Sequence, residues 1–210
     1  MLSKIELIIF DLDGVLVNSK ANMALSWKHV RKKFKIKKKF SEYSKFIGFP
    51  FVDILRKLSI NKKQKEIQSY YYKISKKNLN KIRAYNNVRK VLDYFKKKNM
   101  NMAIVTSKNK DRTMKLIKRM KFPIKNIVCP GDSYKGKPYP DQINIALKRC
   151  KTNKKKIVYV GDMKVDYLLS KNAKINFIYA KYGYSKNQNF KFKHSIRKFE
   201  DLKTLIYIKN

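Results

Sequence analysis

Short apolar runs alternate along the chain with segments in which apolar side chains recur every three or four positions. The runs are residues 5–10, 102–105, 127–128, 157–160 and 177–179. Apolar runs of this length bounded by turn residues are typical of strands buried on both faces. The three-to-four spacing between them is typical of amphipathic helices. Strands that alternate with helices predict an α/β fold with a mostly parallel sheet flanked by helices.

The second half of the chain supplies most of these helices. Asn86 or Asn87 is a candidate N-cap for a helix that carries Val88, Val91 and Phe95 on one face. Further helices are predicted at about 111–120, through 146–147, and up to residue 172. Residues 177–179 form the last clear core strand in this pattern. The polar residues 182–194 are predicted to be a loop, and the amphipathic residues 196–208 could close the fold.

The region between residues 20 and 83 contains no long buried-strand pattern. Trp27, Val30 and Phe34 fall on one helical face, and Ile54, Leu55 and Leu58 fall on another. Residues 47–50 interrupt the helical pattern and indicate a turn. We therefore predict a small helical cap domain at 18–85, inserted into a core domain made of 1–17 and 86–210.

The composition is that of a globular protein with an unusually basic surface. The 210 residues are 43% hydrophobic and carry a formal net charge of +39. Such a charge could indicate a nucleic-acid partner, which would predict strongly salt-dependent binding. The lysines are spread over the whole chain, however, and Asn, Ile and Tyr are also abundant, as an AT-rich coding sequence would produce. We rank nucleic-acid binding last and expect the surface to attract anionic substrates.

Other features bear on location. No apolar segment approaches the roughly 20 residues that span a bilayer, and no signal peptide is recognisable. Cys129 and Cys150 show neither CxxC spacing nor a nearby histidine cluster. We therefore expect a cytoplasmic protein without disulfides, a zinc site or a membrane span. The oligomeric state is not predicted.

Six polar residues follow apolar strands or the turns just after them. In a parallel sheet the carboxyl ends of the strands lie along one edge, where ligands bind, so these residues can converge. Four carboxylates at one edge would repel one another without a cation. With oxygen donors and no His or Cys, the fitting metal is Mg²⁺, and its chemistry suits phosphoryl transfer. The six residues are Asp11, Asp13, Thr106, Lys137, Asp162 and Asp166.

The first strand suggests the reaction. Asp11, directly after the strand, can attack phosphorus as a nucleophile and form an aspartyl-phosphate. Asp13 can point to the same side, protonate the leaving oxygen and then activate water. Both carboxylates are also candidate ligands of the cation. The backbone N–H groups of Leu12, Asp13 and Gly14 could form a nest that binds the phosphate.

The later strand ends complete the predicted site. Thr106 would bind a phosphoryl oxygen, and Lys137 would neutralise charge on the nucleophile and the phosphate. Asp162 would ligate Mg²⁺, and Asp166 would orient metal-bound water or Lys137. Each residue alone has a structural explanation, since Asp-Gly often marks a turn and an early helical Asp suits the macrodipole. Their common position at strand ends is what favours a functional site.

Taken together, the motifs at 11–16, 105–107, 137–141 and 161–166 resemble those of the haloacid dehalogenase superfamily. The likeness is to the helical-capped branch that contains phosphoglycolate phosphatase and β-phosphoglucomutase. Residues 48–50 resemble its cap segment, and 182–184 resemble the loop after its last core strand. The resemblance implies a Rossmann-like core with an inserted α-helical cap. It also implies that Ser107, beside Thr106, belongs to the phosphate-binding residues.

The resemblance leaves more than one activity open. An acid at Asp13 implies release of an alcohol, which favours a phosphatase or mutase over a dehalogenase. We predict a Mg²⁺-dependent phosphatase for a small phosphorylated metabolite such as phosphoglycolate or a sugar phosphate. The alternative is a sugar phosphomutase, which needs a cap that excludes water. Asn18 departs from the Asp common in these relatives, which predicts altered cap contacts rather than lost catalysis.

Overall fold

The computed structural model describes residues 5–185 and 190–206. Its strands are β1 (Leu7–Phe10), β2 (Val17–Asn18), β3 (Arg83–Ala84), β4 (Asn101–Val105), β5 (Asn126–Val128), β6 (Ile157–Gly161), β7 (Asn176–Ala180) and β8 (His194–Ile196). Its α-helices are α1 (Lys20–Phe34), α2 (Phe40–Ser44), α3 (Phe51–Lys57), α4 (Gln64–Lys77), α5 (Val88–Lys97), α6 (Lys110–Met120), α7 (Asp141–Cys150), α8 (Lys164–Ala173) and α9 (Leu202–Leu205).

Six strands form one parallel sheet in the order β5-β4-β1-β6-β7-β8. Strand β1 lies in the interior of this sheet and pairs in parallel with both β4 and β6. Helices cover both faces, so alternate side chains of β1 enter two different cores. Ile8 and Phe10 belong to one cluster, and Leu7 and Ile9 belong to the other. Burial on both faces explains why this strand is a continuous apolar run, and the predicted α/β fold is confirmed.

The edge of the sheet departs from the sequence prediction. Strand β8 pairs in parallel with β7, although residues up to 194 were expected to be a loop and β7 the last strand. An edge strand is covered on fewer sides, and His194 and Ser195 are only partly buried. The apolar run that marks an inner strand is therefore missing. Residues 186–189 of the expected loop and residues 207–208 of the expected closing segment lie outside the described residues.

Helices α1 to α4 form a separate layer beside the carboxyl edge of the sheet. Their side chains share a third apolar cluster, to which Met163 and Val165 at the start of α8 also contribute. The chain enters this layer through β2 and leaves it through β3, and these two short strands pair antiparallel. The sequence pattern did not reveal this pair. We propose it as the boundary of the cap domain.

The helices give no sign of a membrane span. Within residues 5–185 and 190–206, no helix combines the length and the apolar composition needed to cross a bilayer.

Candidate active site

Asp11 and Asp13 lie at the carboxyl end of β1, where the sheet gives way to a tight turn. The backbone N–H of Asp11 donates to the carbonyl of Val160 at 2.9 Å, so sheet pairing continues one residue beyond β1. Gly14 has φ +97°, and a Cβ atom there would lie 2.2 Å from Asp162 Oδ2. Only glycine allows this close approach of the turn to the Asp162 carboxylate.

Lys137 connects two of the predicted acidic residues. Its Nζ atom lies 2.6 Å from Asp11 Oδ1 and 2.8 Å from Asp166 Oδ1, and the Lys137 side chain is fully buried. Burial alone would lower the pKa of Lys137, but the two neighbouring carboxylates raise it above its ordinary value. Burial raises the pKa of Asp11 to about 7, and Lys137 opposes that rise. The ammonium group is thus a permanent positive charge beside the proposed nucleophile.

Three carboxylates form a group that suits a cation. Oxygen atoms of Asp11, Asp162 and Asp166 lie within 4.8 Å of one another, and all three residues are buried. Asp162 Oδ2 accepts the backbone N–H of Tyr184 at 2.7 Å, whereas Oδ1 has no hydrogen-bond partner among the described residues. Burial, followed by repulsion from Asp166 and Asp11, raises the pKa of Asp162 well above its ordinary value. An unpartnered buried oxygen in an all-oxygen group fits Mg²⁺.

Asp13 lies outside this group of three, and its carboxylate faces other partners. Ser19 Oγ donates to Asp13 Oδ1 at 2.5 Å, and Lys108 Nζ lies 3.0 Å from Oδ2. Tyr184 holds Ser19 in turn, because its hydroxyl accepts the Ser19 N–H at 2.7 Å. Sequence reasoning missed Ser19 and Lys108. The only signal for Lys108 is its position two residues after Thr106, in the loop that follows β4.

The loop after β4 places Thr106 and Ser107 at the same edge. Thr106 Oγ1 accepts the backbone N–H of Lys108 at 3.1 Å, which fixes the turn. Ser107 Oγ donates to the carbonyl of Gly48 at 2.6 Å. Ser107, predicted to bind phosphate, therefore also connects the sheet edge to the turn between α2 and α3.

A narrow cavity of about 50 Å³ lies between the sheet edge and the helical layer. The sheet edge supplies carboxylates, hydroxyls and cations, whereas the helical layer supplies mainly aromatic and aliphatic side chains. The space equals that of only a few water molecules. Chemistry here would occur in a narrow, partly open space between polar and apolar walls. Asp11, Asp13, Thr106, Ser107, Lys108 and Arg112 line it on one side, and Met23, Tyr43, Ile47, Gly48, Phe49, Phe51, Ile54, Tyr71 and Tyr72 on the other.

Comparison with known proteins gives consistent matches over nearly the whole chain. The profile described as haloacid dehalogenase-like hydrolase matches residues 8–180. The chain is 30% identical to a phosphoglycolate phosphatase of Mannheimia succiniciproducens, covering 99% of this chain and 100% of that relative. It is 24% identical to the pyrophosphatase PpaX of Oceanobacillus iheyensis, covering 97% and 96% respectively. The crystal structure of a protein described as a putative phosphoglycolate phosphatase from Lactobacillus plantarum shares the fold, with a TM-score of 0.89 at 20% identity over 96% of this chain and 99% of that one.

Proposed function

Because the chain belongs to the haloacid dehalogenase-like hydrolase family and is a phosphatase of that family, we propose that it is Mg²⁺-dependent and acts on a small phosphate monoester. The observation that carries the proposal is the buried contact of 2.6 Å between Lys137 Nζ and Asp11 Oδ1. The contact holds a carboxylate at the end of β1, beside a lysine that neutralises charge, on the wall of the cavity.

The proposed reaction has two steps. One oxygen of Asp11 attacks phosphorus, the bond from phosphorus to the ester oxygen breaks, and an aspartyl-phosphate forms. Asp13 donates its proton to the departing oxygen. Asp13 then takes a proton from water, whose oxygen attacks the aspartyl-phosphate and regenerates Asp11. Ser19 and Lys108 hold Asp13 in place for both proton transfers.

The remaining residues bind charge. Asp11 and Asp162 would hold Mg²⁺, with the Asp166 carboxylate beside them. Asp13, also predicted as a ligand, has its carboxylate bound to Ser19 and Lys108 instead. When bound, the ion neutralises charge on the phosphoryl oxygens. Thr106, Ser107 and the N–H groups around Leu12 would bind the phosphoryl oxygens, as the sequence predicted. Asp166 accepts Lys137 at 2.8 Å and so also orients the lysine.

The size of the cavity bears on the substrate. A volume of about 50 Å³ leaves little room beyond a phosphate and a few further atoms. We therefore propose a substrate closer in size to phosphoglycolate than to a sugar phosphate. A phosphomutase needs a site that excludes water, and the aromatic and aliphatic side chains of the helical layer favour that alternative. The small space, which a sugar would have to fit, argues against it.

The proposed function can be tested with a generic aryl phosphate and a panel of small phosphorylated metabolites. We expect phosphate release with Mg²⁺, and none in EDTA or in Asp11→Asn. Asp93→Asn is the matched control, because Asp93 is partly exposed in an ion pair with Arg89. Acid-quenched enzyme should carry an aspartyl-phosphate that Asp11→Asn lacks. Turnover by Asp11→Asn at the wild-type rate would reject the mechanism, and interconversion of sugar phosphates faster than phosphate release would favour the mutase.

In this proposal the net charge of +39 serves to attract the substrate, and no nucleic-acid partner is needed to explain it. A positive surface raises the local concentration of anionic substrates, and the rate of encounter falls as salt rises. A cytoplasmic location stays a prediction. The free thiols of Cys129 and Cys150 suit a reducing compartment.

A further inference from the structure

Arg112 is a buried cation between the sheet edge and the helical layer. It lies on α6 and is 5% exposed. Its NH1 group donates to Ser75 Oγ on α4 at 2.8 Å, and its guanidinium lies 4.2 Å from the ring centre of Tyr72. Its Nε atom has no hydrogen-bond partner among the described residues. Its described contacts are therefore a neutral hydroxyl and aromatic rings.

This arrangement leaves a buried positive charge for which the described residues supply no counter-ion. None of the ion pairs within the described parts of the chain involves Arg112, whereas the buried Lys137 and Lys108 each have a carboxylate within 3.0 Å. A guanidinium stays protonated, and taking an unpaired ion out of water costs several kcal/mol. The cation–π contact with Tyr72 offsets only part of that cost. A missing anion is the simplest account of the environment of Arg112.

The cavity shows where that anion would come from. Arg112 lines the same enclosed space as Asp11 and Asp13. The planar fork of a guanidinium matches a carboxylate or a phosphate in two-point hydrogen bonding. Lys108 cannot take this role while its Nζ atom is bound to Asp13 at 3.0 Å. A substrate that fills the cavity would bring its phosphate to Asp11 and the rest of its atoms toward Arg112.

We propose that Arg112 binds a second anionic group of the substrate, a carboxylate or a second phosphate, and so selects small molecules with two anionic groups. The inference rests on the proposed phosphatase function and adds to it the class of substrate. The small cavity limits the distance between the two groups to a few bonds. Arg112 is then a specificity-determining residue that does not take part in bond breaking.

A purely structural role is the competing explanation. Through Ser75, Arg112 connects α6 to α4 and could serve only to hold the helical layer in place. In that case the loss of Arg112 would weaken the binding of every ligand of the cavity to the same extent. The two explanations therefore differ in how the loss of Arg112 changes the preference between a ligand with a second anionic group and a similar ligand that has a methyl group in its place.

Binding of two unreactive phosphonates measures this preference directly. 3-Phosphonopropionate carries a carboxylate where propylphosphonate carries a methyl group, and neither can be hydrolysed. We expect isothermal titration calorimetry with Mg²⁺ to show wild-type protein binding 3-phosphonopropionate roughly 10–100-fold more tightly, the range for hydrogen bonds to charged groups. In Arg112→Gln the ratio should fall to about threefold or less. Lys118→Gln, which removes an exposed charge from the same helix, should keep the wild-type ratio.

Two further arms complete the test. In the first, imidodiphosphate, which has a second phosphate, replaces 3-phosphonopropionate in the same titrations. The ligand whose affinity falls more from wild-type protein to Arg112→Gln identifies the preferred second anion. Arg112→Lys keeps the charge without the planar fork and should retain part of the ratio, which gives a second variant if Arg112→Gln does not fold. Because both dissociation constants come from the same protein preparation, their ratio does not depend on the fraction of protein that is active.

The outcomes separate the inference from the proposed function. The role of Arg112 would be overturned if wild-type protein bound the two phosphonates with nearly equal affinity. It would also be overturned if the Arg112 variants lost the same amount of affinity for both. Release of phosphate from aryl phosphate together with either result would leave the phosphatase intact. A ratio that depends on Arg112 in a protein that hydrolyses no phosphate would support the anion site and reject the phosphatase.

Discussion

The ammonium group of Lys108 lies 3.0 Å from a carboxylate oxygen of Asp13, and both side chains are almost wholly buried. The pair joins the loop after β4 to the turn after β1. Burial lowers the pKa of Lys108, and the neighbouring Asp13 carboxylate opposes that change. Because Asp13 is the proposed acid and base, the orientation that Lys108 gives it should matter for turnover.

Replacing Lys108 should therefore slow the reaction. In Lys108→Gln we expect kcat on an aryl phosphate to fall by about 10–100-fold, a large part of the usual contribution of a general acid or base. The control is Lys110→Gln, because Lys110 pairs with Asp132 and its side chain is 63% exposed. Steady-state kinetics on both variants measures the effect. Equal kcat values for the two variants would show that the buried pair has no part in catalysis.

Replacing Asp162 should abolish metal binding without lowering the stability of the metal-free protein. The buried carboxylate of Asp162 repels Asp166 and Asp11, and one of its oxygens has no partner in the described parts of the chain. We expect Asp162→Asn to unfold at the same or a higher temperature than wild-type protein in EDTA, since a buried charge is removed. Mg²⁺ should raise the Tm of the wild type but not of the variant. An equal rise in both proteins would place the ion elsewhere.

The stability of metal-free protein should depend on the Asp11 carboxyl. Burial raises its pKa from 3.8 to about 7, so the folded protein binds more protons than the unfolded chain between these pH values. Stability then falls as pH rises through this range. In EDTA, the free energy of unfolding from urea titrations should be lower at pH 8 than at pH 5. The decrease should be smaller in Asp11→Asn, and an identical decrease in both proteins would contradict the assignment.

Gly48 should control how closely the helical layer approaches the sheet edge. It has φ +100°, and a Cβ atom there would lie 2.5 Å from Val165 Cγ1. We expect Gly48→Ala to lower the free energy of unfolding by about 1–3 kcal/mol and to raise KM. The turn must move away from Val165, and that movement disturbs the hydrogen bond from Ser107 to the Gly48 carbonyl. Gly131→Ala is the control, since Gly131 has φ +94° but nothing within 4 Å of the added Cβ. Urea unfolding and steady-state kinetics measure both variants, and equal effects would show that backbone strain alone is responsible.

The parts predicted correctly from sequence are those in which the information is local. The apolar run that ends at Asp11 marks a strand because both of its faces are buried. Strand β8 carries no such run, because an edge strand is only partly covered, and it was missed. The positions of Lys137, Asp11 and Asp166 after strands predicted that these side chains meet at one edge of the sheet. Their exact contacts, 2.6 and 2.8 Å, were not predicted.

The sequence by itself determined the parallel sheet, the position of the acidic residues at its carboxyl edge, and the run of helices between β1 and β4. Periodicity and strand ends are properties of short stretches of chain, so they can be recognised without neighbours. Only the tertiary structure decided that Ser19 and Lys108 hold Asp13, and that Arg112 is buried with no counter-ion in the part of the chain that is described. Among 53 lysines and arginines, no single one stands out by type. Its importance depends on which distant residues surround it and how far water is excluded, and both are set by packing across the whole fold.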